Sequence, residues 1–129
     1  MSIAVRAIRG AVQVEAADAA ATLAGTAELV ATIMHRNMLV PDDVISILFT
    51  ATADLRAVFP AQAARELGLA DVPLLCATEI EVPGAPPRIV RVLLHVETEL
   101  PRSAIQHVYL GGAVALRPDL CLARDVLTS

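Results

Sequence analysis

RIVRVLLHVE, residues 88–97, is the stretch that decides the fold. Alternate side chains of an extended chain point to opposite faces. Val90, Val92, Leu94 and Val96 therefore share one face, and Ile89, Arg91, Leu93 and His95 the other. Both faces are largely apolar, so this is the clearest strand of the chain. Arg91 is the exception in its middle. If both faces are covered, its charge needs an anionic partner. The other readings are a structural ion pair or a sheet face open to solvent.

Working outward towards the N-terminus, Pro83-Gly84 reads as a turn and Pro73–Cys76 as a short strand. Pro60 suits the first position of a helix and Gly68 the position after its end, so Pro60–Leu67 reads as a short helix. Val44–Ala51 is a short apolar run with β-branched residues, hence a buried strand, and Pro41-Asp42-Asp43 before it a turn. Residues 18–36 read as a helix that starts at Asp18, where a carboxylate favours the dipole. Leu23, Ala27, Val30 and Met34 recur along it at helical spacing, and His35, Arg36 and Asn37 suit its end. Residues 3–14 read as a strand with Ile3, Val5, Ala7, Arg9 and Ala11 on one face. Towards the C-terminus, Gln106–Leu110 is a short strand. Gly111-Gly112 opens a turn or short helix, which Pro118 ends. A loosely held, mobile tail follows from about residue 119, with Cys121–Ser129 the least periodic part. The order β-α-β-α-β-β-β predicts a single α+β (α/β) domain over 1–129, a mixed sheet with flanking helices.

Apolar residues make up 56% of 129, and only Phe49, Phe59 and Tyr109 are aromatic. So short a chain cannot hide that many apolar side chains inside itself. The surplus predicts a buried subunit interface with closed symmetry. A net charge of −4, with no basic stripe, argues against a nucleic-acid binder. No apolar run reaches the ~18 residues of a membrane span, and no signal peptide is recognisable. Cys76 and Cys121 form no metal or redox motif and read as reduced thiols in a cytoplasmic protein. His35, His95 and His107 are not at metal-binding spacing.

All 10 basic residues are arginine, so every positive side chain is permanently charged and able to grip carboxylates with two bonds. Arg9 lies on a strand face directly before Gly10, which allows a close approach to the backbone, whereas Arg6 faces the other way and reads as a surface charge. Glu79 follows the Pro73–Cys76 strand, where a loop carboxylate is well placed for function. Glu81 reads as merely exposed. Tyr109 offers its hydroxyl to a ligand carboxylate or to a backbone partner. Arg117 is held extended by Pro118, and Arg65 lies on the exposed side of its helix. There is no nucleophile elbow, phosphate loop or dinucleotide fingerprint. Arginines, one acid, one tyrosine and a thiol suit a small dianion and a reaction without covalent catalysis.

IRGAV at 8–12, AVFPAQAARELG at 57–68 and IQHVYLGGAVALRPDL at 105–120 resemble the small chorismate mutase of the Bacillus type, from Ile3 to about Leu122. The resemblance implies a trimer with a barrel-like core of sheets, no metal or cofactor, and active sites between subunits. It implies rearrangement of chorismate to prephenate in phenylalanine and tyrosine biosynthesis. Arg9 matches the arginine that grips the substrate's carboxylates, and Arg91 the one aimed at the ether oxygen. Glu79 and Cys76 match the pair at the ring hydroxyl, and Tyr109 the tyrosine at the side-chain carboxylate. Phe59, Ala61 and Arg65 match one wall, Leu116 and Arg117 the mobile C-terminal edge. By the same analogy Phe59, Ala61 and Arg65 come from one chain, and Arg9, Glu79, Arg91 and Tyr109 from its neighbour. Two positions depart from the family pattern. Gln62 stands where a charged residue is expected and Gln106 where a basic one often precedes HVYL; both bear on substrate capture. The alternative is a non-catalytic trimeric binding module for a small carboxylate metabolite, which would gain nothing from Glu79 beside its ligand.

Overall fold

The computed structural model describes residues 2–117. The mobile tail expected from about residue 119 and the thiol of Cys121 lie outside the described residues. The elements are β1 (Ala4–Gln13), α1 (Ala19–Arg36), β2 (Val44–Ala51), α2 (Ala61–Ala64), β3 (Leu74–Thr78), β4 (Ile89–Thr98) and β5 (Val108–Leu110), with short 3-10 turns at Pro41–Asp43, Arg102–Ala104 and Gly111–Leu116. The chain order is the expected one. The five strands form one sheet in the order β3-β2-β4-β1-β5. β4 is its centre, antiparallel to β1 and β2, while β3 and β5 lie parallel to their neighbours. The sheet is mixed, and its central strand is RIVRVLLHVE.

Helix α1 starts where a side chain satisfies its orphan donors: Asp18 Oδ1 accepts from the Ala21 amide at 2.7 Å. Its end is tied down by Asn37, whose Nδ2 donates to the carbonyls of Ile33 and Gln106 while its Oδ1 accepts from the Gln106 amide. The buried stripe differs from the one expected. Thr22, Thr26, Leu29, Val30 and Ile33 face the sheet, and Leu23, Ala27 and Met34 only flank it. Thr22 can be buried because its hydroxyl donates to the Asp18 carbonyl at 2.8 Å. The close approach expected at Gly10 is made by the chain itself. A Cβ there would lie 2.7 Å from the Val108 carbonyl oxygen and 2.9 Å from Ile33 Cδ1. The absent side chain lets α1 and β5 settle against β1. The second helix is shorter than expected: Ala61–Ala64 is α-helical, then the chain widens into a π-type turn over Arg65–Leu69, within which Gly68 takes φ +93°.

The two faces of the sheet differ. Ile8, Val12, Ile47, Phe49, Val90, Val92, Leu94 and Val96 pack into one core beneath α1 and α2. The other face is covered only at one corner, where the Gly111–Leu116 turn packs Ala113 and Leu116 onto Ala11, Ile89 and Tyr109. Elsewhere no described element lies over it, and Ile3, Val5 and Leu75 are 63%, 59% and 65% exposed. Arg6 is not a plain surface charge as expected: it is half-buried, and its Nε donates to the Leu100 carbonyl at 3.2 Å.

Candidate active site

One row of residues crosses all five strands. Ala77 is in register with Thr50, Thr50 with Arg91, Arg91 with Ala11 and Ala11 with Tyr109. Residues in register point to the same face, so Thr50, Arg91 and Tyr109 stand together on the open side of the sheet. Glu79 reaches the same place from the end of β3. Its amide donates to the Ala51 carbonyl at 2.9 Å, which prolongs the β2–β3 ladder by one step. Its carboxylate then turns back over β2. Arg91 Nε donates to Glu79 Oε1 at 2.7 Å, and the Thr50 hydroxyl donates to the same oxygen at 3.1 Å. The Arg91 side chain remains 40% exposed and that of Glu79 17%. Within the chain the two other readings of Arg91 hold together: it forms an ion pair with Glu79, on a sheet face left open, and the pair is monodentate. Among the described residues, Glu79 Oε2 and both terminal nitrogens of Arg91 have no other partner.

Arg9 lies two residues before Ala11 on the same face, exposed, with its amide donating to His107 Nδ1 at 3.1 Å. With Arg6, His95, Arg102 and His107 it lines an open cavity of about 510 Å³. Tyr109 is buried at the β5 corner against Leu116, and Arg117 follows at the end of the described chain.

The remaining candidates form a second group. Phe59 is 70% exposed and shares a cavity of about 550 Å³ with Pro60, Cys76 and the 51–58 segment. Ala61 is buried at the start of α2, and Arg65 is exposed just beyond it. Cys76 is a free thiol in register with Phe49, so it belongs to the helix-covered side, whereas Glu79 lies over the opposite face. Within one chain the structure thus does not bring Cys76 and Glu79 to a common point. Arg91, Glu79 and Tyr109 sit on the open face, whereas Phe59 and Cys76 line a separate cavity, with Ala61 and Arg65 on the helical segment that follows Phe59.

Asp54 links the segment bearing Phe59 to the strand bearing Arg91. Its Oδ2 accepts from the Arg88 amide at 3.0 Å. Arg88 takes φ +57°, uncommon for a residue with a side chain, immediately before β4. Burial acts to raise the Asp54 carboxyl. The hydrogen bonds from Thr52 and from the Asp54 and Arg88 amides, with the Arg88 charge, outweigh it, and the group ionises below its ordinary value. Sequence reasoning missed Thr50, Asp54 and His107. Thr50 carried a signal, as one of two hydroxyl residues in the apolar run 44–51; Asp54 and His107 act through partners distant in sequence.

Among the described residues no helix is long and apolar enough to cross a membrane, and no three potential metal ligands cluster. What fold and site define is a small mixed-sheet protein whose uncovered face carries a permanent cation fixed against a carboxylate. The chain belongs to the type I chorismate mutase family, whose sequence model matches residues 5–120. It is 43% identical over 122 residues to the chorismate mutase AroH of Bacillus subtilis, covering 94% of this chain and 96% of that protein. The AroH chorismate mutase of Thermus thermophilus is 44% identical over 117 residues, covering 90% and 96%. The solved structure of a chorismate mutase from Clostridium thermocellum superimposes with a TM-score of 0.84 at 44% identity, over 85% of this chain and 98% of that one.

Proposed function

We propose that this protein is an isomerase that converts chorismate to prephenate, serving phenylalanine and tyrosine biosynthesis in the cytoplasm. The observation that carries the reading is the Arg91–Glu79 pair, bonded through Nε alone, with the rest of the guanidinium available on an open face. The rearrangement is intramolecular and transfers no proton. As the ether C–O bond breaks, negative charge builds on its oxygen and the ring becomes more positive. A fixed guanidinium at that oxygen binds the transition state more strongly than the ground state, and that difference is what accelerates a step. Glu79 favours the electron-poor ring through its hydroxyl. Arg9 and Tyr109 hold the carboxylates, with Leu116 and Arg117 at the rim, and keep the side chain folded over the ring, which lowers the entropic cost. No residue forms a covalent intermediate, so the inventory of arginines, acid and tyrosine suffices.

The working unit in this proposal is a homotrimer, a single domain per chain, with each site between two subunits. The uncovered apolar face supports it, as does the separation of the candidates into two groups within one chain. Phe59, Ala61 and Arg65, joined by Cys76, form the wall given by one subunit. Arg9, Glu79, Arg91 and Tyr109 come from its neighbour. The test is direct: purified protein with no added metal or cofactor should deplete chorismate absorbance and yield prephenate. Protein that leaves chorismate at its uncatalysed rate rejects the reading.

A further inference from the structure

We propose that Thr50 is a positioning residue that keeps the Arg91–Glu79 pair open for its ligand, an inference that rests on the function just proposed. An arginine and a carboxylate in contact tend towards two parallel hydrogen bonds, the fork-to-fork arrangement. Closed in that way, the pair would spend a terminal nitrogen of Arg91 and the second oxygen of Glu79 on each other. Those are the atoms the reaction needs. Here both donors converge on one oxygen: Arg91 Nε at 2.7 Å and the Thr50 hydroxyl at 3.1 Å, each on Glu79 Oε1. Oε2 is left for the ring hydroxyl, and the terminal nitrogens of Arg91 for the breaking ether.

The geometry that achieves this is built into the sheet. Thr50 and Arg91 are in register across β2 and β4, so their side chains rise side by side from adjacent strands. The Glu79 amide is fastened to the Ala51 carbonyl, one residue beyond Thr50, at 2.9 Å. Glu79 is therefore held to β2 by its backbone and, through Thr50, by its carboxylate as well. Thr50 is β-branched with few rotamers open to it, so its hydroxyl is a firm anchor. Rotation of the carboxylate into the two-bond arrangement would give up that hydrogen bond.

The test compares Thr50→Val, which keeps the shape and removes the hydroxyl, with Thr50→Ser, which keeps the hydroxyl. Loss of one hydrogen bond to a charged group corresponds to roughly ten- to a hundredfold. That loss should fall mainly on kcat, with KM changing much less, because the pair acts on the breaking bond. Thr50→Ser should recover most of it. In a Glu79→Ala background Thr50→Val should cost nothing further, since there is no carboxylate left to hold. A merely structural Thr50 would cost the same in both backgrounds. A Thr50→Val enzyme within about twofold of wild type in kcat, or additive costs, would overturn the proposal. The crystal structure of Thr50→Val gives an answer independent of turnover: Arg91 and Glu79 should close into two parallel hydrogen bonds, and an unchanged Nε–Oε1 contact would count against the inference. Wild-type protein with no activity on chorismate would instead defeat the proposed function, and the crystallographic comparison would still judge the role of Thr50.

Discussion

Arg91 and Asp54 place two kinds of electrostatics in one small chain. Arg91 stands mid-strand on the central strand, so its position is fixed by ladders on both sides. Its guanidinium is 40% exposed in the single chain, and its field gains strength only where a ligand and a neighbouring subunit displace water. Losing one preorganised donor at a developing oxyanion costs ~10²–10³ in kcat. Arg91→Ala removes a full charge, and kcat should fall by roughly three orders of magnitude or more in steady-state assays. Arg91→Lys should recover part of this, since charge survives and the planar fork does not. Glu81→Ala, on an exposed side chain, should be near neutral. Asp54 concerns stability instead. Its folded ionisation lies below the unfolded value, so its contribution is present above ~4 and lost as pH falls through the folded value. Asp54→Asn should therefore lower the urea midpoint at neutral pH and approach wild type in acid. The effect should stay under about 1 kcal/mol because the group is solvated. A gap that widened on acidification would show that the Arg88 contact is not its source.

The elements show which readings a linear chain permits. Alternation in RIVRVLLHVE revealed a strand apolar on both faces, and it is the centre of the sheet. Asp18 placed the start of α1 well, because capping is local chemistry; the Pro60…Gly68 spacing marked the left-handed glycine but not the end of α2 at Ala64. The buried stripe of α1 lies nearly one residue out of phase with the apolar pattern of its sequence, since Thr22 and Thr26 are polar and yet face the core. Side-chain hydrogen bonding to the preceding turn hides the polarity of Thr22. Of the candidate site, Arg9, Arg91 and Tyr109 are legible as residue types on strands and Glu79 as an acid in the loop just beyond one. The contact between Arg91 and Glu79 is not, because pairing register across β2, β3 and β4 is long-range information. Gly10 joins element to site. Its missing Cβ admits the Val108 carbonyl and Ile33, and thereby sets β5 and Tyr109 against β1. Gly10→Ala pushes into backbone on one side and helix on the other, and overpacking of this kind costs about 1–3 kcal/mol. The denaturation midpoint should drop accordingly. KM should also rise, because Tyr109 moves with β5; a stable variant with unaltered KM would disconnect β5 from substrate.

At the scale of the whole molecule, the open face of the sheet has to be reconciled with water. Ile3, Val5 and Leu75 are more than half exposed, and Ile45 and Leu48 add 38% and 36% on the same chain. An apolar sheet surface left open to water marks an interaction surface. Charges set the terms on which it can be covered. Arg91 is compensated by Glu79, and the Arg9 side chain is exposed beside Arg102 and two histidines, so a wholly dry interface would strand cations at high cost. The arrangement that satisfies both is one in which apolar strand surface is buried between subunits and the arginines line pockets at its margin, open to an anionic ligand. Closed symmetry with three copies is the expected solution, and light scattering during size exclusion should give three times the mass of one chain. Val5→Asp tests the linkage of assembly to catalysis, because Val5 lies on the open face, at the edge of the cavity that Arg9 lines, and is not one of the residues proposed to hold substrate. A carboxylate there opposes burial, so the variant should dissociate on dilution. Specific activity should fall with dilution and return as protein concentration is raised, since each site of the proposed trimer draws on two subunits. Activity per chain that stays constant while the measured mass falls to that of a monomer would mean that each chain carries a complete site, and the division of candidates between subunits would have to be abandoned.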